Sequence, residues 1–193
     1  MKRQRAFTLL ELMIVVVLVA IVLTLAAPSF YDFIKVQRLK GVNAQLVTDL
    51  QYARSEAVSR GIYMRVVFGA DSSMTCYTMY TLKLGSDAGV RCDCLLGAGA
   101  ACTDSDATEI RTVQVPASSS VRISTVAGVD PAIGFDNVTG GLITIPKDTF
   151  SSPSPDFVID TGIDAARILR TTLGSTGRPT VCGTSANLGA PLC

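Results

Sequence analysis

Histidine is absent from this chain of 193 residues, and charge is sparse and balanced, with 17 lysines and arginines against 16 aspartates and glutamates. Without histidine there is no imidazole general base and no Ser-His or Cys-His nucleophile pair. No G-x4-G-K-[ST] motif occurs, and the glycines between Leu84 and Ser105 do not open a helix, so no phosphate loop is expected. Cys92, Cys94 and Cys102 lack the usual C-x2–4-C spacing of a zinc site, and no histidine can complete one. Asp104, Asp106 and Glu109, and separately Asp130 and Asp136, do not follow a calcium-loop pattern and read as solvated carboxylates. The near-neutral balance excludes strong global attraction to nucleic acid. These absences predict a protein that is not an enzyme and holds no metal or cofactor.

What the chain has instead is one long apolar run. After the basic head Met1–Ala6, the stretch Phe7–Phe30 carries a single charge, Glu11, and none follows from Leu12 to Tyr31. That is about the 20 residues a helix needs to cross a bilayer. The basic head predicts an N-terminus left in the cytoplasm and a C-terminal domain exported to the periplasm. A carboxylate such as Glu11 costs roughly 2.5–3.5 kcal/mol at the centre of a membrane helix, so a plain anchor has no use for it. A helix that leaves lipid to pack against copies of itself does, if a neighbour's α-amino group neutralises it. All six cysteines, Cys76, Cys92, Cys94, Cys102, Cys182 and Cys193, fall in the exported part, where disulfides are the expected state. Their connectivity stays open, although local loop closure favours Cys182–Cys193 and a bond from Cys92 or Cys94 to Cys102.

The segment Ala6-Phe7-Thr8-Leu9-Leu10-Glu11-Leu12 resembles the class III signal of type IV prepilins and type II secretion pseudopilins. The resemblance implies cleavage by a prepilin peptidase between Ala6 and Phe7, N-methylation of Phe7, and a docking role for Glu11 in assembly. The family usually has glycine where this chain has Ala6. An ordinary secretory signal would be cut after its apolar stretch, where Leu25-Ala26-Ala27 is only a poor imitation of such a site. Loss of Lys2, Arg3 and Arg5 with the leader would leave a net charge of about −2.

Beyond Pro28, which a membrane helix tolerates as a bend, Leu39, Val42, Leu46, Leu50, Ala53 and Ala57 recur at steps of three and four. This is the stripe of an amphipathic helix, with Gly61 as its stop. Lys35, Arg38, Lys40, Arg54 and Arg60 lie mostly off the stripe and read as a solvated face. Strand patterns follow over Ile62–Phe68, Met74–Leu82, Thr108–Val115, Ser120–Val126, Ala132–Phe135, Leu142–Ile145, Phe157–Asp160 and Arg167–Thr172. The stretch Leu84–Ser105 reads as an irregular loop stapled by disulfide, Ser151–Pro155 as a loop, and the sequon Asn137-Val138-Thr139 carries no weight in a bacterial-type export system.

The run Leu50-Gln51-Tyr52-Ala53-Arg54-Ser55-Glu56-Ala57-Val58 resembles the signature of the GspH/FimT group of minor pilins and pseudopilins, FimU included. Gly177-Arg178 matches the start of the Gly-Arg-x-Arg tail that the FimT branch uses for DNA, with Thr180 in place of the second arginine. Arg167, Arg170 and Arg178 are therefore candidate phosphate contacts, but their simpler reading is the charged outward face of an edge strand. The expected fold is α+β, a long N-terminal membrane-spanning helix packed on a C-terminal antiparallel β-sandwich. The expected divisions are a leader at 1–6, a transmembrane and assembly helix at 7–31, its amphipathic continuation at 32–61 and a periplasmic β-rich domain at 62–193. The function implied is a minor pilin of type IV pilus assembly, with pseudopilin H of a type II secretion system and a DNA-binding pilin as alternatives. Expected partners are the prepilin peptidase, other minor pilins, the major pilin or pseudopilins, the inner-membrane assembly platform, the membrane itself, and DNA under the last alternative.

Overall fold

A computed structural model describes residues 8–83, 89–125, 131–144 and 156–193, with the side chains of 25–29 outside the description. Helix α1 runs unbroken from Leu9 to Arg60 and continues through Pro28. It starts where Thr8 Oγ1 accepts the Glu11 N–H at 3.2 Å, one half of a capping box, with Thr8 at the N-cap and Glu11 at the third helical position. It stops where Gly61 adopts φ 63°, a left-handed conformation open to glycine without penalty. Asn137 Nδ2 donates to the Gly61 carbonyl at 3.1 Å, tying the sequon segment to the end of the helix.

Among the described residues nine strands follow: β1 Met64–Ala70, β2 Met74–Leu82, β3 Ala107–Pro116, β4 Arg122–Thr125, β5 Ala132–Phe135, β6 Leu142–Thr144, β7 Phe157–Asp164, β8 Arg167–Leu173 and β9 Pro179–Gly183. They form two antiparallel sheets, one ordered β3-β2-β1-β5-β6 and the other β4-β7-β8-β9. The expected strand Ile62–Phe68 is displaced toward the turn at Asp71. Val126, Ile145 and the loop at 151–155 lie outside the described residues. Strand β9 was not anticipated, because Pro179 and Gly183 bound a run too short to show alternation.

The expected helical stripe packs as read. Leu39, Leu46, Leu50, Ala53 and Ala57 are buried in one cluster with Val66, Phe68, Tyr77, Ile159, Phe157 and Leu169 from both sheets. Burying each leucine contributes roughly 1.5–3 kcal/mol. Periodicity did not show two polar residues on the same buried face. Asn43 Oδ1 accepts from the Thr171 hydroxyl on β8 at 3.0 Å. Asp49 accepts from the Tyr77 hydroxyl on β2 at 2.6 Å and from Arg111 Nη1 on β3 at 2.8 Å. Asn43 thus reaches the smaller sheet and Asp49 the larger one, so together they fix the rotation and axial position of the helix. Burial, and then the bond to Asp49, push the Tyr77 hydroxyl far above the ordinary phenol pKa.

The cysteines pair as Cys76–Cys94, Cys92–Cys102 and Cys182–Cys193. The first two fold the excursion between β2 and β3 over the outer face of the larger sheet. There Cys92 packs with Val67, Tyr80 and Ala132, and Tyr80 Oη donates to the Val90 carbonyl at 3.4 Å. This cover explains why β2 is buried along both faces. Glu109 closes the excursion by accepting from the N–H groups of Gly99 and Ala101 and from the Thr112 hydroxyl. Burial raises its pKa, but these bonds outweigh that and leave it below the usual carboxylate range. The third disulfide, with the parallel bridge of Gly183 to Leu192, covers the end of edge strand β9.

Candidate functional site: the uncovered half of the helix and the arginines of the tail

The two halves of α1 stand in opposite environments. Every large apolar side chain described from Leu9 to Leu23 is 50–77% exposed, whereas the half beyond Leu39 carries the core. Glu11 is exposed at the start of the uncovered half, one carboxylate beside an apolar surface. Its place in the capping box gives it a local role as well, since a carboxylate in the first turn favours the helix dipole. The spacing Thr8-x-x-Glu11 carried that signal, and the sequence reading passed over it. Ala6 and Phe7 lie outside the described residues. Among the described residues no helix is long and apolar enough to cross a membrane, and the side chains of 25–29, inside the expected span, are not among them.

The three tail arginines do not act as one patch. Arg170 makes two bonds to Asp160, at 2.8 and 2.9 Å. Arg167 binds Asp164 at 2.7 Å and reaches Asp32 on the helix at 3.6 Å. The hydrogen bonds to Asp164 and Asp160, respectively, raise both guanidinium pKa values, while the Arg167 bond lowers that of Asp164. Both arginines are thus largely neutralised by carboxylates. Nor is their strand an edge, since β8 pairs with β7 on one side and β9 on the other. For Arg167 and Arg170 the reading as the outward face of an edge strand is corrected accordingly, because β9 pairs along β8.

Arg178 differs. It is exposed, and it lines a cavity of about 490 Å³ with Arg54, Thr139, Gly141, Ser175 and Thr176. Arg54 is half-buried, and its Nε donates to the carbonyls of Gly140 and Thr176 at 3.2 and 3.1 Å. The reading of Arg54 as part of a solvated face is therefore also corrected. The cavity forms where two turns meet. In one, Asp136 accepts from the Thr139 N–H at 2.8 Å, which with its other bonds holds its carboxyl below the usual range. In the other, Gly177 sits at φ 71° so close to Gly140 that a β-carbon would collide with its carbonyl oxygen. The glycine of the Gly-Arg pair thus serves packing, and it sets Arg178 at the cavity rim. Sequence could not place Arg54 beside it.

The family model for the type II transport protein GspH matches residues 43–179, well over half of the chain. The chain belongs to the GspH family. The prokaryotic N-terminal methylation motif matches residues 1–27 of this GspH-family chain, which makes it a type IV pilin- or pseudopilin-like protein. No curated protein matches it. Among solved structures, the crystal structure of the type IV minor pilin FimU from Pseudomonas aeruginosa PAO1 is similar at 14% identity and a TM-score of 0.44, over 78% of this chain and 91% of that one. The GspH-family chain shares with the expected fold its long helix laid on two antiparallel sheets.

Proposed function

We propose that this GspH-family protein is a minor pilin that serves type IV pilus assembly as an initiating or tip component. The observation that carries the reading is the division of one helix of 52 residues into an uncovered apolar half and a half held in the head domain. Glu11, a carboxylate beside that apolar surface, is the group that a helix packed among copies of itself would use. In this reading the chain is a single-pass protein of the inner membrane with its head in the periplasm. Prepilin peptidase cuts between Ala6 and Phe7, and Phe7 is methylated. The helix then moves from lipid into a bundle of pilin helices, with Glu11 meeting a neighbour's amino group and setting register. The chain performs no hydrolysis in this scheme; the assembly platform supplies the energy. Deletion of the gene, scored for surface pili and for secreted protein, tests it. Pili are expected to be lost with secretion intact, and the reverse outcome would assign the chain as a minor pseudopilin of a type II secretion system.

A second reading, DNA capture, is favoured by the meeting of Arg54 and Arg178 at one cavity. Single phosphate contacts of this kind give weak, salt-sensitive binding. In gel shifts with the full chain in detergent, Arg178→Gln is expected to weaken binding and lower the salt slope by about 1. Arg170→Gln, whose charge Asp160 already meets, should change little. A shift indifferent to Arg178→Gln, or no salt-dependent shift, overturns this reading.

A further inference from the structure

Just beyond the apolar run, Phe30, Tyr31 and Phe33 are 63%, 66% and 57% exposed, and none of the described residues of the head covers them. Steps of about 100° per residue spread these three rings over one broad arc of the helix and turn Asp32 to the opposite side. There Asp32 meets Arg167 of the head at 3.6 Å. Lys35 and Arg38 follow within the next turns, and among the described residues neither forms an ion pair, whereas Lys40 lies against Gly189 of the head. Phe30 and Phe33 stack with centroids 6.4 Å apart, one ring above the other on the same side.

Position along the axis completes the pattern. Glu11 and Tyr31 are twenty residues apart in one continuous helix, which is about 30 Å at 1.5 Å per residue and equals the hydrocarbon thickness of a typical bilayer. Tyr31, the one ring of the three with a polar tip, suits the headgroup level, with Phe30 and Phe33 adding apolar area beside it, and basic residues just outside meet anionic headgroups. In water, by contrast, three uncovered rings within four residues have no stabilising surroundings.

We propose that Phe30, Tyr31 and Phe33, with Lys35 and Arg38 behind them, form a collar that binds the headgroup–acyl boundary of an anionic phospholipid bilayer. The collar sets the depth at which the helix waits before assembly. The inference deepens the single-pass reading above and rests on it. It also places the head: the Asp32–Arg167 contact lies one residue past Tyr31, so the start of β8 rests close to the membrane surface and the helix cannot slide inward without meeting the head.

The chain has no tryptophan, so a single Tyr31→Trp substitution gives an unambiguous reporter, and the exposed position tolerates the larger ring. Ile21→Trp, midway between Glu11 and Tyr31, serves as the deep comparison. Each full-length variant is reconstituted into vesicles of phosphatidylcholine and phosphatidylglycerol containing lipids brominated either near the headgroup or near the chain end. Tyr31→Trp is expected to be quenched most by the shallow bromines, and Ile21→Trp most by the deep ones. Deep quenching of both reporters, or unquenched water-like emission from Tyr31→Trp while Ile21→Trp is quenched, overturns the collar but leaves the membrane helix standing. No quenching of either reporter, with protein failing to float with the vesicles, overturns the single-pass reading and the collar together.

Discussion

Asp49→Ala is expected to remove about 2–3 kcal/mol of folding stability, because the carboxylate is the shared acceptor that joins the helix to two strands of the larger sheet. Its side chain is only 3% exposed, whereas that of Arg111 is 51% exposed and can rehydrate. The main loss therefore falls on Tyr77, whose hydroxyl is left in the core with no acceptor. Tyr77→Phe removes the same hydrogen bond without leaving an orphan donor and should cost less, about 1 kcal/mol. The double variant should then be no worse than Asp49→Ala, because the two residues are directly coupled. Urea unfolding of the full chain in detergent, with disulfides intact and followed by near-ultraviolet circular dichroism, gives the three values. A loss below about 0.5 kcal/mol for Asp49→Ala, the range of ordinary surface substitutions, would show that apolar burial alone seats the helix.

Glu11→Ala is expected to leave membrane insertion unchanged and to reduce the amount of protein recovered in sheared filaments by at least tenfold. An amino group left unpaired among apolar helices loses several kcal/mol, and about 1.4 kcal/mol already corresponds to a factor of ten. Insertion survives because removing a charge from the apolar run favours lipid. The capping box offers a competing explanation, since alanine also removes the acidic residue of the first turn. Glu11→Gln separates the two, because glutamine keeps the cap and drops the charge. Failure of both variants supports docking through charge, whereas normal assembly of Glu11→Gln would reduce Glu11 to a helix-starting residue. Mass spectrometry of the N-terminus, run on both variants, shows whether cleavage before Phe7 and its methylation still occur, so that a processing defect is not mistaken for a docking defect.

The chain by itself determined whatever depends on neighbouring residues. The helical stripe from Leu39 to Ala57 needs only the 3.6-residue period, the stop at Gly61 needs only a residue free to adopt positive φ, and β2 and β5 were read at their observed limits from β-formers between turn residues. The class III signal is likewise a contiguous pattern, and so is the Thr8-x-x-Glu11 cap that was present but not read. Local loop closure also sufficed to favour Cys182 with Cys193. Only the tertiary structure decided the rest, because each decision joins residues far apart in the chain. Asp49 meets Tyr77 and Arg111 because two sheets and a helix converge there. Cys94 goes to Cys76 and leaves Cys102 to Cys92 because the excursion lies across β2. Arg167 and Arg170 lose their free charge because β7 sets carboxylates beside them, while Arg178 keeps its own and gains Arg54 as a neighbour because two turns close on each other. A charge in a sequence is a property of one residue, but whether it is spent on a carboxylate or left for a ligand depends on strand register, which hydrogen bonds between distant segments impose.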